Sequence, residues 1–194
     1  LVAALVVWAA ALGAGAGLGW FSKEAPAQTA LAEVQSDWAV QDGTLGIAIT
    51  QGGADVAGSF ADWTAEITYT EIPDASGHHG AVSVTIAIPS LTLGSVTGQA
   101  MGADFFNAKT HPTATFEADL ITREGALSAD GTLRIKEAEV PVTMPVTLTI
   151  EGDIATASGA LTVDRRDFGI GMSVGDEASL AFGVEISFTL TAQR

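Results

Sequence analysis

The feature that most limits what this chain can become is a period of two. From Asp37 onward apolar residues fall at every second position, the spacing of a strand that turns one face to an apolar space and the other to water. Trp63, Ala65, Ile67 and Tyr69 alternate with Thr64, Glu66, Thr68 and Thr70. Val82, Val84, Ile86 and Ile88 alternate with Ser83, Thr85, Ala87 and Pro89, and Val142, Met144, Val146, Leu148 and Ile150 with Thr143, Pro145, Thr147, Thr149 and Glu151. The C-terminal run is the clearest: Leu180, Phe182, Val184, Ile186, Phe188 and Leu190 share one face. Shorter runs at 45–50, 113–121, 133–136 and 160–163 follow the same rule. Asp42-Gly43, Ser76-Gly77, Asp130-Gly131 and Glu151-Gly152 supply turn chemistry between runs. Eight or nine strands are expected. Residues 93–107 break the period, and Thr97-Gly98-Gln99-Ala100-Met101 with the Phe105-Phe106 pair predict one or two helical turns.

Antiparallel strands with one apolar face must close or stack to hide that face and their edges, so an all-β barrel or sandwich is expected. An outer-membrane barrel would turn its apolar face outward between two aromatic girdles. One Tyr and four Trp, two of them before residue 22, are too few for girdles. A water-soluble barrel with an apolar interior is the better reading. Eight Lys and Arg against 23 Asp and Glu give a net charge of −15, which argues against a nucleic-acid partner because phosphate backbones are held by clustered cations. The absence of Cys removes disulfides, thiolate metal sites and a cysteine nucleophile, and 47% hydrophobic residues remove disorder.

Residues 1–22 carry no charge, and a helix of about 21 residues spans roughly the 30 Å of a bilayer core. A membrane anchor is expected there. The competing readings are a signal peptide, with Ala25-Pro26-Ala27 after its apolar stretch, and a buried soluble helix. Anchor and signal alike place the domain at 37–194 outside the cytoplasm, with 23–36 as a linker rich in Ala, Gln and Pro.

Reactive constellations are sparse. Adjacent His78 and His79 read as solvated loop residues without spaced metal partners. His111 precedes Pro112, which holds it extended at the start of a strand. Signatures of serine hydrolases, phosphate loops and zinc proteases are absent, and neither catalytic nor metal-ligating residues are assigned. Asp164-Arg165-Arg166-Asp167 is the densest charge cluster. It reads as a turn with ion pairs, or else as a place where Arg165 or Arg166 meets a ligand's polar head group at the barrel mouth.

Four blocks of sequence resemble the YceI-like family of polyisoprenoid- or lipid-binding periplasmic proteins. They are Gly58-Ser59-Phe60-Ala61-Asp62-Trp63, the strand at 84–91, the segment from Ala103 to Phe116 containing Asp104-Phe105-Phe106-Asn107 and His111-Pro112, and Val163-Asp164-Arg165-Arg166-Asp167-Phe168-Gly169-Ile170-Gly171. The resemblance runs from Asp37 to Arg194. It departs at Lys136-Glu137-Ala138-Glu139-Val140, acidic where the family has a basic turn, and between Ile170 and Leu180, a short segment that would leave one end of the barrel more open.

What the resemblance implies is a lipocalin-like extended barrel of about eight strands, capped by short helices, whose apolar tunnel holds an isoprenoid lipid such as a quinone or polyprenyl chain, with no covalent cofactor. The expected tunnel residues, taken for bulk and face, are Phe60, Trp63, Ile86, Ile88, Phe105, Phe106, Phe116, Val146, Leu148, Phe168, Phe182, Val184 and Ile186. Family members also occur fused behind b-type cytochrome domains. An upstream or separate cytochrome is therefore an expected partner, and residues 1–21 contain no His to ligate its haem. Two rivals stand beside the carrier: an accessory domain with a filled interior that docks on a respiratory partner, and an enzyme pairing His111 with Asp104 or Asp167.

Overall fold

In the computed structural model, which describes Leu31 and residues 36–194, the period-two runs form one antiparallel sheet of ten strands. In chain order they are β1 (Ala39–Gln51), β2 (Ala54–Phe60), β3 (Trp63–Tyr69), β4 (His78–Ala87), β5 (Leu91–Thr92), β6 (Thr113–Arg123), β7 (Ala126–Ile135), β8 (Ala138–Glu151), β9 (Ile154–Asp164) and β10 (Gly183–Gln193). One short helix, α1 (Thr97–Ala100), and 3-10 turns at Ile88–Ser90 and Arg165–Phe168 complete it. The strand order is β3-β4-β6-β7-β8-β9-β10-β1-β2-β5.

The sheet curls until β3 reaches the start of β1. There the Ser36 hydroxyl accepts from the Ile67 N–H at 2.7 Å, and the N–H groups of Asp37 and Trp38 donate to the Ile67 carbonyl at 3.1 and 3.3 Å. These bonds occupy groups that an open edge would leave to pair with another chain. Ser36, the last residue of the expected linker, therefore belongs to the fold. The anchor or signal expected at 1–22 and the linker residues 23–30 and 32–35 lie outside the described residues. Among the described residues no helix is long and apolar enough to cross a membrane.

Two strands were not expected from the period. β2 carries Ala54, Asp55, Ala57, Gly58 and Ser59, too few bulky residues to show alternation, and β5 is only two residues long. The two-residue loop Gly52-Gly53, with φ of 57° and 77°, forces β2 back along β1, because a tight hairpin needs positive φ at both positions. The strand expected through Ile88 ends at Ala87, where Pro89 at the head of a 3-10 turn removes a ladder donor. The C-terminal strand begins at Gly183, and Leu180 keeps only an isolated bridge to Gln51. The helical turn expected within 93–107 is α1.

Three apolar clusters line the inside from end to end. One gathers Leu45, Phe60, Ile88, Phe106 and Phe168, the middle one Ala118, Leu120, Ala129 and Met144, and the far one Trp38, Ala155 and Ala192. No large side chain is fully buried. The inner faces explain why. Ala65 on β3, Ala118 on β6, Ala129 on β7, and Ala155 and Ala157 on β9 occupy positions where a packed core would put larger residues.

Candidate ligand-binding cavity

The inner faces enclose a cavity of about 230 Å³ whose lining takes in residues of all three clusters. From Val184 to Ala192 on β10 that lining follows roughly 27 Å of strand at about 3.4 Å per residue. So small a volume over such a length makes the space narrow: pockets for compact drug-sized ligands run to about 300–1,000 Å³. Besides the tryptophans and Tyr69, the only lining residues with polar side-chain groups are Gln51, Gln99 and Arg165. Phe116, Val146 and Phe188 point inward yet remain only half-buried, as expected of walls facing a void. Opposite Phe188, Gly159 leaves its ring room: a Cβ there would come within 2.6 Å of that ring.

Of the residues expected in the tunnel, Phe60, Trp63, Ile86, Ile88, Phe105, Phe106, Phe116, Val146, Leu148, Phe168, Val184 and Ile186 line this cavity. Phe182 does not. It precedes β10, where the chain has left strand geometry and alternation no longer assigns a face. Its ring lies 3.7 Å beneath the Arg166 guanidinium, outside the lining. Choosing tunnel residues by bulk left out the small lining residues Ala65, which the period had already put on the apolar face, Ala129, Ala155 and Ala157, and the space depends on their small size. The period did not reach Trp38, which lies just ahead of β1 and is buried at the far end, its indole N–H donating to the Tyr69 carbonyl at 3.4 Å.

At the other end α1 and the following residues to Asn107 join residues 165–181 as a cap. The Gly171 N–H donates to the Asp104 carbonyl at 2.6 Å, and the Ser173 hydroxyl to the Asp104 carboxylate. Arg165 organises this cap. It is 3% exposed, and all five of its N–H groups donate to carbonyls: Nε to Ala181 at 3.1 Å, Nη1 to Ile170 at 2.9 Å and Gly171 at 2.7 Å, and Nη2 to Val174 at 2.6 Å and Leu180 at 3.2 Å. No donor remains for the head-group contact expected of it. Arg166 is turned outward and paired with Asp164, whose carboxylate also accepts from the Arg166 N–H. Hydrogen bonding from Arg166 is the main cause that holds the Asp164 carboxyl down to about 2. The short 170–180 segment is folded back and fastened by Arg165.

The adjacent histidines depart from expectation. His79 is buried: Nδ1–H donates to the Thr70 carbonyl at 2.7 Å, Nε2 lies 2.9 Å from the Thr122 hydroxyl, and the ring stacks on Tyr69 with centroids 5.0 Å apart. His78 opens β4 with Nε2 at 3.3 Å from Asp119. His111 caps a turn, its N–H donating to the Asn107 carbonyl, while Asp104 is engaged by Ser173. Among the described residues no three His, Asp or Glu side chains converge as metal ligands would.

The YceI-like domain matches this chain over residues 35–192. Burkholderia cenocepacia BcnA is 30% identical and superposes with a TM-score of 0.73 over 81% of this chain and 100% of its own. Campylobacter jejuni YceI, at 21% identity, gives 0.62 over 71% of this chain and 84% of its own, and a variant of it gives 0.64 at 17% identity over 92% and 98%. These two likenesses speak for the fold alone. No curated protein matches the chain. With a match across the whole curled sheet, the cap and its buried arginine, and a relative at 30% identity covered over its entire length, the chain belongs to the YceI-like family.

Proposed function

We propose that this protein binds a long-chain isoprenoid lipid, a quinone or polyprenyl chain, inside the barrel and carries or sequesters it. The observation that carries this reading is the narrow apolar cavity running between the two ends of the sheet. A chain of methylenes and methyls needs no hydrogen bond from its host. At about 0.8 kcal/mol per buried CH₂, ten carbons contribute about 8 kcal/mol before binding costs, the scale of micromolar affinity. A compact polar ligand would leave its polar atoms unpaired against these walls.

The rival of a docking domain with a filled interior is disfavoured by the same void. The same proposal has the protein work on the periplasmic side of the membrane, tethered through residues 1–22 or released after their cleavage, with a b-type cytochrome domain, upstream or separate, as the proposed membrane partner. Residues 31–194 retain Ser36 and the Leu31 N–H contact to Asp62. Produced in a bacterial periplasm and purified without detergent, they should carry a stoichiometric isoprenoid in native and extracted-lipid mass spectrometry. A clean unliganded mass that persists after incubation with quinones and polyprenyl lipids would overturn the reading.

A further inference from the structure

The apolar lining ends at a rim beside the cap. Gln99, in α1, is the one exposed residue among those lining the cavity and stands between the lining and water. Gln51, the last residue of β1, also lines the cavity and is bridged to Leu180 of the same cap. Among the described residues Gln41, which donates to the Ala39 carbonyl, is the only glutamine whose side chain has a protein partner. Neither rim amide has a partner among the described residues.

The rim offers hydrogen bonds without positive charge. Arg165 is the only cation on the lining, and carbonyls take all of its N–H groups. Lys136, at the β7–β8 turn, donates to the Gly169 carbonyl. On the cap surface the exposed acids Asp104, Asp167, Asp176 and Glu177 outnumber the exposed bases Lys109 and Arg166, and Arg166 is held by Asp164.

We infer that Gln51 and Gln99 select the polar end of the ligand, and that this end is a neutral hydrogen-bonding group, a hydroxyl or carbonyl, in preference to a phosphate. The inference rests on the isoprenoid reading above and adds to it the head-group class and the residues that recognise it. A carboxamide both donates and accepts, so it suits either neutral group. A diphosphate at this rim would give up hydration beside acidic neighbours with no free cation on the lining to receive it.

The test uses three chain-matched probes on the purified full chain: farnesol, farnesyl diphosphate and the hydrocarbon farnesene, with affinities read from ligand-induced thermal stabilisation. Farnesol is expected to bind at least about tenfold tighter than farnesyl diphosphate. The double variant Gln51→Leu/Gln99→Leu should weaken farnesol about tenfold, the worth of one to two hydrogen bonds, and leave farnesene within about twofold. Unchanged farnesene binding also shows that the variant folds. Tighter binding of the diphosphate, or a farnesol-to-farnesene ratio unmoved by the double variant, would overturn the head-group assignment alone. Failure of all three probes to bind would overturn the isoprenoid reading and this inference with it.

Discussion

Replacing Arg165 by Met tests the account of the cap most directly. The change keeps a long apolar stem and removes five N–H donors from the carbonyls of Ile170, Gly171, Val174, Leu180 and Ala181, of which Gly171 keeps the Val174 N–H at 3.0 Å. Exchanging a whole buried polar set for apolar residues is often neutral, but removing one side of it is not. The carbonyls differ in exposure. The bonds to Gly171 and Leu180 are buried, whereas the other three are only partly so and can turn to water. The stranded buried Leu180 carbonyl, at about 1–3 kcal/mol, and the lost bond from a charged donor to Gly171, at about 1.5–3 kcal/mol, give a loss of about 2.5–6 kcal/mol, a large share of the roughly 5–15 kcal/mol that holds a domain folded. With a urea slope of about 2 kcal/mol/M, the unfolding midpoint should fall by about 1–3 M, and limited proteolysis should now cut within 170–181. Arg165→Lys keeps the charge with three donors and should fall in between. An Arg165→Met midpoint within about 0.3 M of the parent, with the cap still protected, would refute the claim that this guanidinium fastens the cap.

Ala157→Leu on β9 adds bulk to the cavity wall and should weaken isoprenoid binding more than tenfold in the thermal-stabilisation assay while moving the urea midpoint little, because the space to receive it is already there. Phe182→Leu should leave ligand affinity within about twofold and cost about 0.5–1 kcal/mol of stability through the lost cation–π contact with Arg166, whereas Leu148→Ala, inside the cavity, should change affinity. Asp164→Asn should matter only while the carboxylate is charged. The native pKa of about 2 lies below the unfolded 3.8, so its stabilisation is full above about pH 4 and disappears as pH falls through 2. For so exposed a pair, the difference between parent and variant at pH 7 should stay within about 1 kcal/mol and vanish near pH 2 in acid titrations followed by circular dichroism.

Much of the fold was legible because the pleat is local. A residue's face in a strand follows from its neighbours two positions away, so Val184, Ile186, Phe116 and Val146 could be placed inside before any partner strand was known. The rule failed where the chain was no longer a strand or where the strand lacked bulk. Phe182 continued the alternation on paper but sits ahead of β10, and β2 has too many small residues to display a period. Arg165 and Arg166 are adjacent and alike in sequence. One is buried among five carbonyls and the other exposed beside Asp164, because a 3-10 turn sends successive side chains to different sides.

The amino-acid sequence by itself determined an all-β chain with an apolar inside, the position of the helical cap, and the motifs that tie it to its family. Whether that inside is solid or hollow was decided only when the strands met. Ala65, Ala129, Ala155 and Ala157 are scattered through the sequence and unremarked in any one strand, yet the curling of the sheet sets them around one space. Void volume belongs to side chains facing one another across the barrel, and no local pattern along the chain records which residues those will be.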